Sequence, residues 1–160
     1  MTKLKSVLLS AAAVGVALAG AGPGGGGLQG LMTGGGSIIS DGLRVTHGFR
    51  LDCMATNNPQ RLQINWSGNR FHLDQLLSAN CSNNPTINAG QPSAAFNTYV
   101  GSGVGTFNGV PGATINFTFT DAGEPGSADV ASYAIADADG NLVLSASGNL
   151  DKGNQQAHDK

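Results

Sequence analysis

This chain predicts an all-β fold, an antiparallel β-sandwich of seven to eight strands with jelly-roll-like or Greek-key wiring and one disulfide. Three observations predict it. After Ser37, apolar and polar residues alternate at period two through most of the chain. Turn signals rich in Asn, Pro and Gly recur at short spacing. Gly, Asn, Ser and Thr fill the polar positions, while charged residues make up only 11% and Glu124 is the single glutamate, a composition that disfavours helix.

The chain opens on a leader. Lys3 and Lys5 precede an apolar run from Val7 to Leu18, and Ala17 and Ala19 form the small-x-small pattern of a peptidase site, so 1–19 reads as a cleaved signal peptide. The run is short for a membrane span, and no stable span is expected once it is removed. The mature protein is expected to be secreted or extracellular, with the periplasm as the nearest alternative. Residues 20–36 follow as a Gly-rich arm, partly flexible because glycine at this density weakens helix and strand alike. A single domain of 37–160 has the length for one core.

The elements follow in order. Val45, His47, Phe49, Leu51 and Cys53 alternate with Arg44, Thr46, Gly48, Arg50 and Asp52. After the turn Asn57-Asn58-Pro59, a second strand places Leu62, Ile64 and Trp66 on one face. Ser67-Gly68-Asn69 breaks the chain before Phe71 and Leu73, and Leu73–Leu77 has the spacing of one helical turn. The polar stretch 81–92 argues for a loop. Strands are expected near 95–107, 114–120, 130–136 and 142–147, the last two joined by a tight turn at Asp139-Gly140-Asn141, with a short strand near 155–158.

Cys53 and Cys81 are the only cysteines, and a lone pair in an exported protein reads as a disulfide. Neither has the surroundings of a nucleophile paired with His47 or His72. Eight basic residues stand against ten acidic ones, and two of the basic ones belong to the leader. No basic patch is visible along the sequence, which argues against nucleic acid as a partner.

Asp121, Glu124 and Asp129 are three carboxylates in one Gly-containing loop, a donor set that Ca²⁺ accepts; otherwise no cofactor is expected. The competing reading is a solvated loop in which Asp121 bonds its own backbone. His47 shares a face with Val45, Phe49 and Leu51, which favours a hydrogen-bonded sheet histidine over a base. Trp66, Tyr99 and Tyr133 are the residues that could stack on a sugar, although Trp66 and Tyr133 have the parity of core positions. No catalytic residues are assigned, since no Gly-x-Ser-x-Gly, zinc helix or histidine triplet occurs.

The stretches GGGSI at 34–38, RVTHGFRLDC at 44–53, the glycine- and aspartate-rich block 103–150 and KGNQQAH at 152–158 resemble the post-COAP domain family of bacterial secreted and cell-surface proteins. The resemblance implies an extracellular β-rich accessory or structural module, carries no catalytic residues with it, and draws GGGSI into the domain, shortening the arm to 20–33. Because the module follows the leader almost directly, a stand-alone role is expected. The expected function is therefore that of a secreted, non-enzymatic module at the cell surface or in the extracellular matrix. A carbohydrate- or protein-binding module is the alternative, and a hydrolase comes third. The expected partner is an extracellular protein or glycan, and the expected state a monomer or weak oligomer.

Overall fold

The computed structural model describes residues 28–57, 59–87 and 94–160. The expected leader 1–19 and the start of the expected arm lie outside the described residues. Eight antiparallel strands form the fold: β1 (Gly30–Ser40), β2 (Leu43–Asp52), β3 (Arg61–Trp66), β4 (Asn69–Ser82), β5 (Thr98–Phe107), β6 (Val110–Thr120), β7 (Val130–Ala136) and β8 (Leu142–Asp159). Each pairs with its neighbours in sequence, and β1 pairs with β8, so the sheet closes into an up-and-down barrel. The expected sandwich is thereby corrected. A sandwich and a barrel both bury one face of every strand, so period-two alternation fits either.

Closure depends on two strands whose sequences disguise them. β8 is 18 residues long. Its first half, Leu142 to Asn149, pairs with β7, and its second half, from Leu150 to Asp159, pairs with β1. β1 contains Gly34, Gly35 and Gly36, which composition alone assigns to the arm and the family resemblance draws into the domain; they are strand residues, and β1 begins at Gly30. A Cβ on Gly34 would stand 2.7 Å from the Phe49 ring, and one on Gly36 would meet the backbone of Lys152 and Gly153 on β8. Glycine is what lets these neighbours approach. The expected helical turn at 73–77 is also corrected: it lies within β4, which carries two bulges between Leu73 and Ser78.

Three of the hairpins are two-residue turns at one end of the barrel. Asp41-Gly42, Ser67-Gly68 and Asn108-Gly109 all have positive φ at both positions, the requirement of a type I′ turn. The fourth link at this end is the expected turn around Asp139-Gly140-Asn141, where the Asp137 carboxylate accepts the N–H groups of Asp139 and Asn141. The opposite end carries the longer connections and the disulfide between Cys53 and Cys81.

Alternation sorts the side chains. On β6, Ala113, Ile115, Phe117 and Phe119 point inward and are buried, while Thr114, Asn116, Thr118 and Thr120 point outward. Phe49 stacks on Phe119 with ring centroids 4.0 Å apart, and Tyr99 on Phe117 at 5.9 Å. The core thus fills the lumen.

Candidate functional site

Two polar constellations stand out, one inside the barrel and one on its wall. Inside, His47 of β2 bonds the Tyr133 hydroxyl of β7 through Nδ1, and its Nε2 lies 3.3 Å from Gln155 Nε2 of β8. Gln155 is fully buried, and among the described residues its Oε1 has no partner. If Tyr133 donates to Nδ1, the imidazole proton sits on Nε2 and faces the Gln155 amide, and turning that amide over would let Oε1 accept it. His47 is enclosed by the rings of Phe49, Phe119 and Tyr133. Burial lowers its pKa from 6.5 to about 4 and raises that of the Tyr133 hydroxyl. A neutral imidazole held by two hydrogen bonds in an aromatic core is the hydrogen-bonded histidine expected from the sequence, although more deeply buried.

That burial has a consequence for stability. Between pH about 6.5 and 4 the unfolded chain binds a proton at His47 and the barrel does not. His47 therefore contributes stability that is present above about pH 6.5 and is lost as pH falls towards 4, a difference of about 3 kcal/mol. Asp129 opposes it. Burial, with the Asp121 and Glu124 charges behind it, raises its pKa from 3.8 to about 6, so its contribution declines as pH rises through that range. Urea titrations of the native protein and of His47→Gln from pH 7 to 4 should isolate the histidine. The native protein is expected to lose up to about 3 kcal/mol relative to the variant; parallel profiles would show that His47 does not titrate in this way.

The loop before β7 uses its carboxylates as acceptors. Asp129 is fully buried and accepts the N–H groups of Ala122 at 2.7 Å and Gln155 at 2.8 Å. Asp121 accepts those of Gly123 and Ala157. Glu124 accepts the side-chain amides of Asn154 and Gln156, which hold its carboxyl below the usual range. The three carboxylates fasten the β6–β7 loop to β8, and a cation there would have to displace these donors. Among the described residues no three His, Cys, Asp or Glu side chains converge to hold a metal ion. Millimolar calcium is expected to leave the melting temperature unchanged. A rise that Asp129→Asn removed would reinstate the ion.

The disulfide stands where expected, closing a separation of 28 residues. The aromatic trio does not form an external platform: Trp66, Tyr99 and Tyr133 are all buried, with Trp66 stacked on Phe107 at 5.6 Å and the Tyr99 hydroxyl donating to the Asp52 carbonyl. His72 points outward from β4, and His158 bonds Thr33.

The outer constellation was not legible along the chain. Arg44, Arg50, Arg61 and Arg70 are all the arginines the protein has, and all four project outward from three adjacent strands, β2, β3 and β4. His72 joins them. Arg50 and Arg61 face each other across the β2–β3 ladder, and Arg70 faces Asn65 across the β3–β4 ladder. Among the described residues, Arg44 alone of the four is paired with a carboxylate, Asp151, at 2.8 Å. Arg50 donates to the Pro59 carbonyl. Asp74 shares the β4 face but accepts from Thr106.

Two depressions lie on this wall. The larger, about 1030 Å³, is bounded by the three tight turns and floored by outward residues of β2 to β5; the smaller, about 340 Å³, lies between Arg50, Arg61 and Gln63, and His72 borders both. The absence of a basic patch inferred from the sequence is therefore corrected. The arginines are widely spaced in the chain, but each has the outward parity of its strand, and a meander sets those strands side by side. That parity, read together with strand order, is the signal that would have found them.

The fold and this wall define a closed, filled, disulfide-linked β-barrel with a cationic outer face. No family model, curated protein or solved structure matches the chain.

Proposed function

We propose that the protein is an exported, non-enzymatic accessory module that works at the cell surface or in the extracellular matrix through its outer wall. The observation that carries this reading is the filled lumen. Phe49, Phe117, Phe119, Tyr99 and Tyr133 occupy the space that a ligand-carrying barrel keeps open, which leaves recognition to the outside. The leader-like 1–19 and the resemblance to post-COAP modules support export, and an intramolecular disulfide is of the kind oxidising compartments maintain. Among the described residues no helix is long and apolar enough to cross a membrane. The outward row Thr114, Asn116, Thr118 and Thr120 of β6 also differs from the apolar band and aromatic girdles of a barrel that faces lipid.

Fractionation of the producing cells tests the reading, with intact mass and thiol titration of the recovered protein. The expected result is a chain beginning near Gly20 or Gly22, without free thiol, in the culture fluid or surface fraction. A cytoplasmic pool retaining the leader and two reactive thiols would overturn it.

A further inference from the structure

We propose that the arginine face of β2, β3 and β4 is a binding site for an acidic polysaccharide that carries its charge as carboxylates. The inference rests on the outer-wall reading above and names the ligand of that wall.

Charge complementarity carries it. The protein as a whole is acidic, yet its four arginines are gathered on one face. Among the described residues no carboxylate pairs with Arg50, Arg61 or Arg70. Like charges placed directly opposite each other on neighbouring strands repel, and Arg50 and Arg61 are so placed. An anion between them would turn that repulsion into attraction. Arg44 and Arg50 lie six residues apart on β2, so the cationic strip runs about 20 Å along the strands. That length suits a polymer better than a single small anion.

The other lining groups choose among polyanions. Asn65, Asn69, Asn108, Thr46 and Thr106 border the larger depression. Thr46, Thr106 and Asn108 donate within the wall, so they offer a hydroxyl-rich ligand acceptor oxygens, and the side-chain amides of Asn65 and Asn69 offer donors. Guanidinium forks match carboxylates two bonds at a time, and β2, β3 and β4 carry no lysine. Single-stranded nucleic acid binds on exposed aromatic platforms, and surface helices that enter lipid bring an apolar edge. Here every Phe, Tyr and Trp ring but the half-buried Phe107 is buried in the barrel, and Trp66, which lines the larger depression, is stacked on Phe107 rather than set out as a platform. Gly48, in the middle of the outer row of β2, has open space where a side chain would stand, which leaves the approach to Arg50 and Arg61 clear.

The test uses the purified, disulfide-intact protein and polygalacturonate. Binding is measured at low and moderate salt beside the same polymer with its carboxyls reduced to alcohols, a single-stranded oligonucleotide and vesicles of anionic lipid. Polygalacturonate should bind with an affinity that falls as salt rises. The reduced polymer and the Arg61→Gln/Arg70→Gln variant should each lose about tenfold or more. Lys152→Gln, on the exposed part of β8, should bind as the native protein does. Thermal melts establish that each variant is folded, and Arg61→Gln alone should melt no lower than the native protein because it relieves the repulsion with Arg50. Equal binding of the reduced polymer, equal loss with Lys152→Gln, no binding of polygalacturonate, or tighter arginine-dependent binding of the oligonucleotide or vesicles would each overturn the proposal. Any of these with export intact leaves the outer-wall module standing. A cytoplasmic, reduced protein removes the reading beneath it instead.

Discussion

Gly105→Ala is expected to destabilise the barrel by about 3 kcal/mol, at the upper end of what overpacking a core usually costs. Gly101, Gly103 and Gly105 form the inward row of β5, between Tyr99 and the tight turn. A Cβ on Gly105 would collide with the backbone oxygen of His72 on β4 and stand 2.6 Å from Phe71 Cζ. Phe71 is fully buried, and the His72 carbonyl belongs to the neighbouring strand, so neither can yield without opening the β4–β5 pairing. Phe117 lies over Gly101 and Leu73 over Gly103 in the same way. Large side chains on β4 and β6 thus occupy the space that β5 leaves empty, as a tapering small barrel requires. Gly48→Ala on β2 is the comparison, since its Cβ would meet nothing within 4 Å. It should be neutral or stabilise by about 0.4–1 kcal/mol through the unfolded chain. Urea denaturation of both variants checks the pair. If Gly105→Ala costs no more than Gly48→Ala, the inward glycine row does not set the packing.

Removing the disulfide should cost about as much. Cys53 follows the end of β2 and Cys81 lies near the end of β4, so the bond ties two strands at the long-loop end and encloses the whole of β3. In the chain-entropy account, releasing a loop of this length costs about 3–4 kcal/mol, and the melting temperature should fall by roughly 10 °C or more. The Cys53→Ala/Cys81→Ala variant, melted beside the native protein with and without reductant, measures it. Reductant should lower the native protein towards the variant and leave the variant unmoved. A variant as stable as the oxidised protein would show that β-closure alone holds this end.

What was legible in the sequence follows from the range over which each signal acts. Alternation is local, so the inward sets Leu62, Ile64, Trp66 and Ile115, Phe117, Phe119 could be read strand by strand and are buried as expected. The turn at Asp139-Gly140-Asn141 was legible for the same reason. Leu73–Leu77 misled because two β-bulges displace the alternation there and imitate helical spacing. The Gly-rich stretch of β1 misled because its strand character comes from partners on both sides rather than from its own residues. The buried Asp129 looked like a metal ligand because three carboxylates in one loop resemble a donor set. Only the fold shows that the N–H groups of Ala122 and of Gln155, on β8, already claim its two oxygens.

By itself the sequence determined the all-β class, the faces that β2, β3 and β6 bury and the single cysteine pair, because these depend on residue type and on spacing within a few positions. Tertiary structure decided three things. It closed the sheet through β1 and β8, a pairing of the two ends of the domain that no local pattern encodes. It filled the lumen, by setting the glycines of β5 against the rings of β4 and β6. And it gathered arginines from positions 44 to 70 onto one wall, since charges far apart in the chain become neighbours only when strand order and register place them side by side.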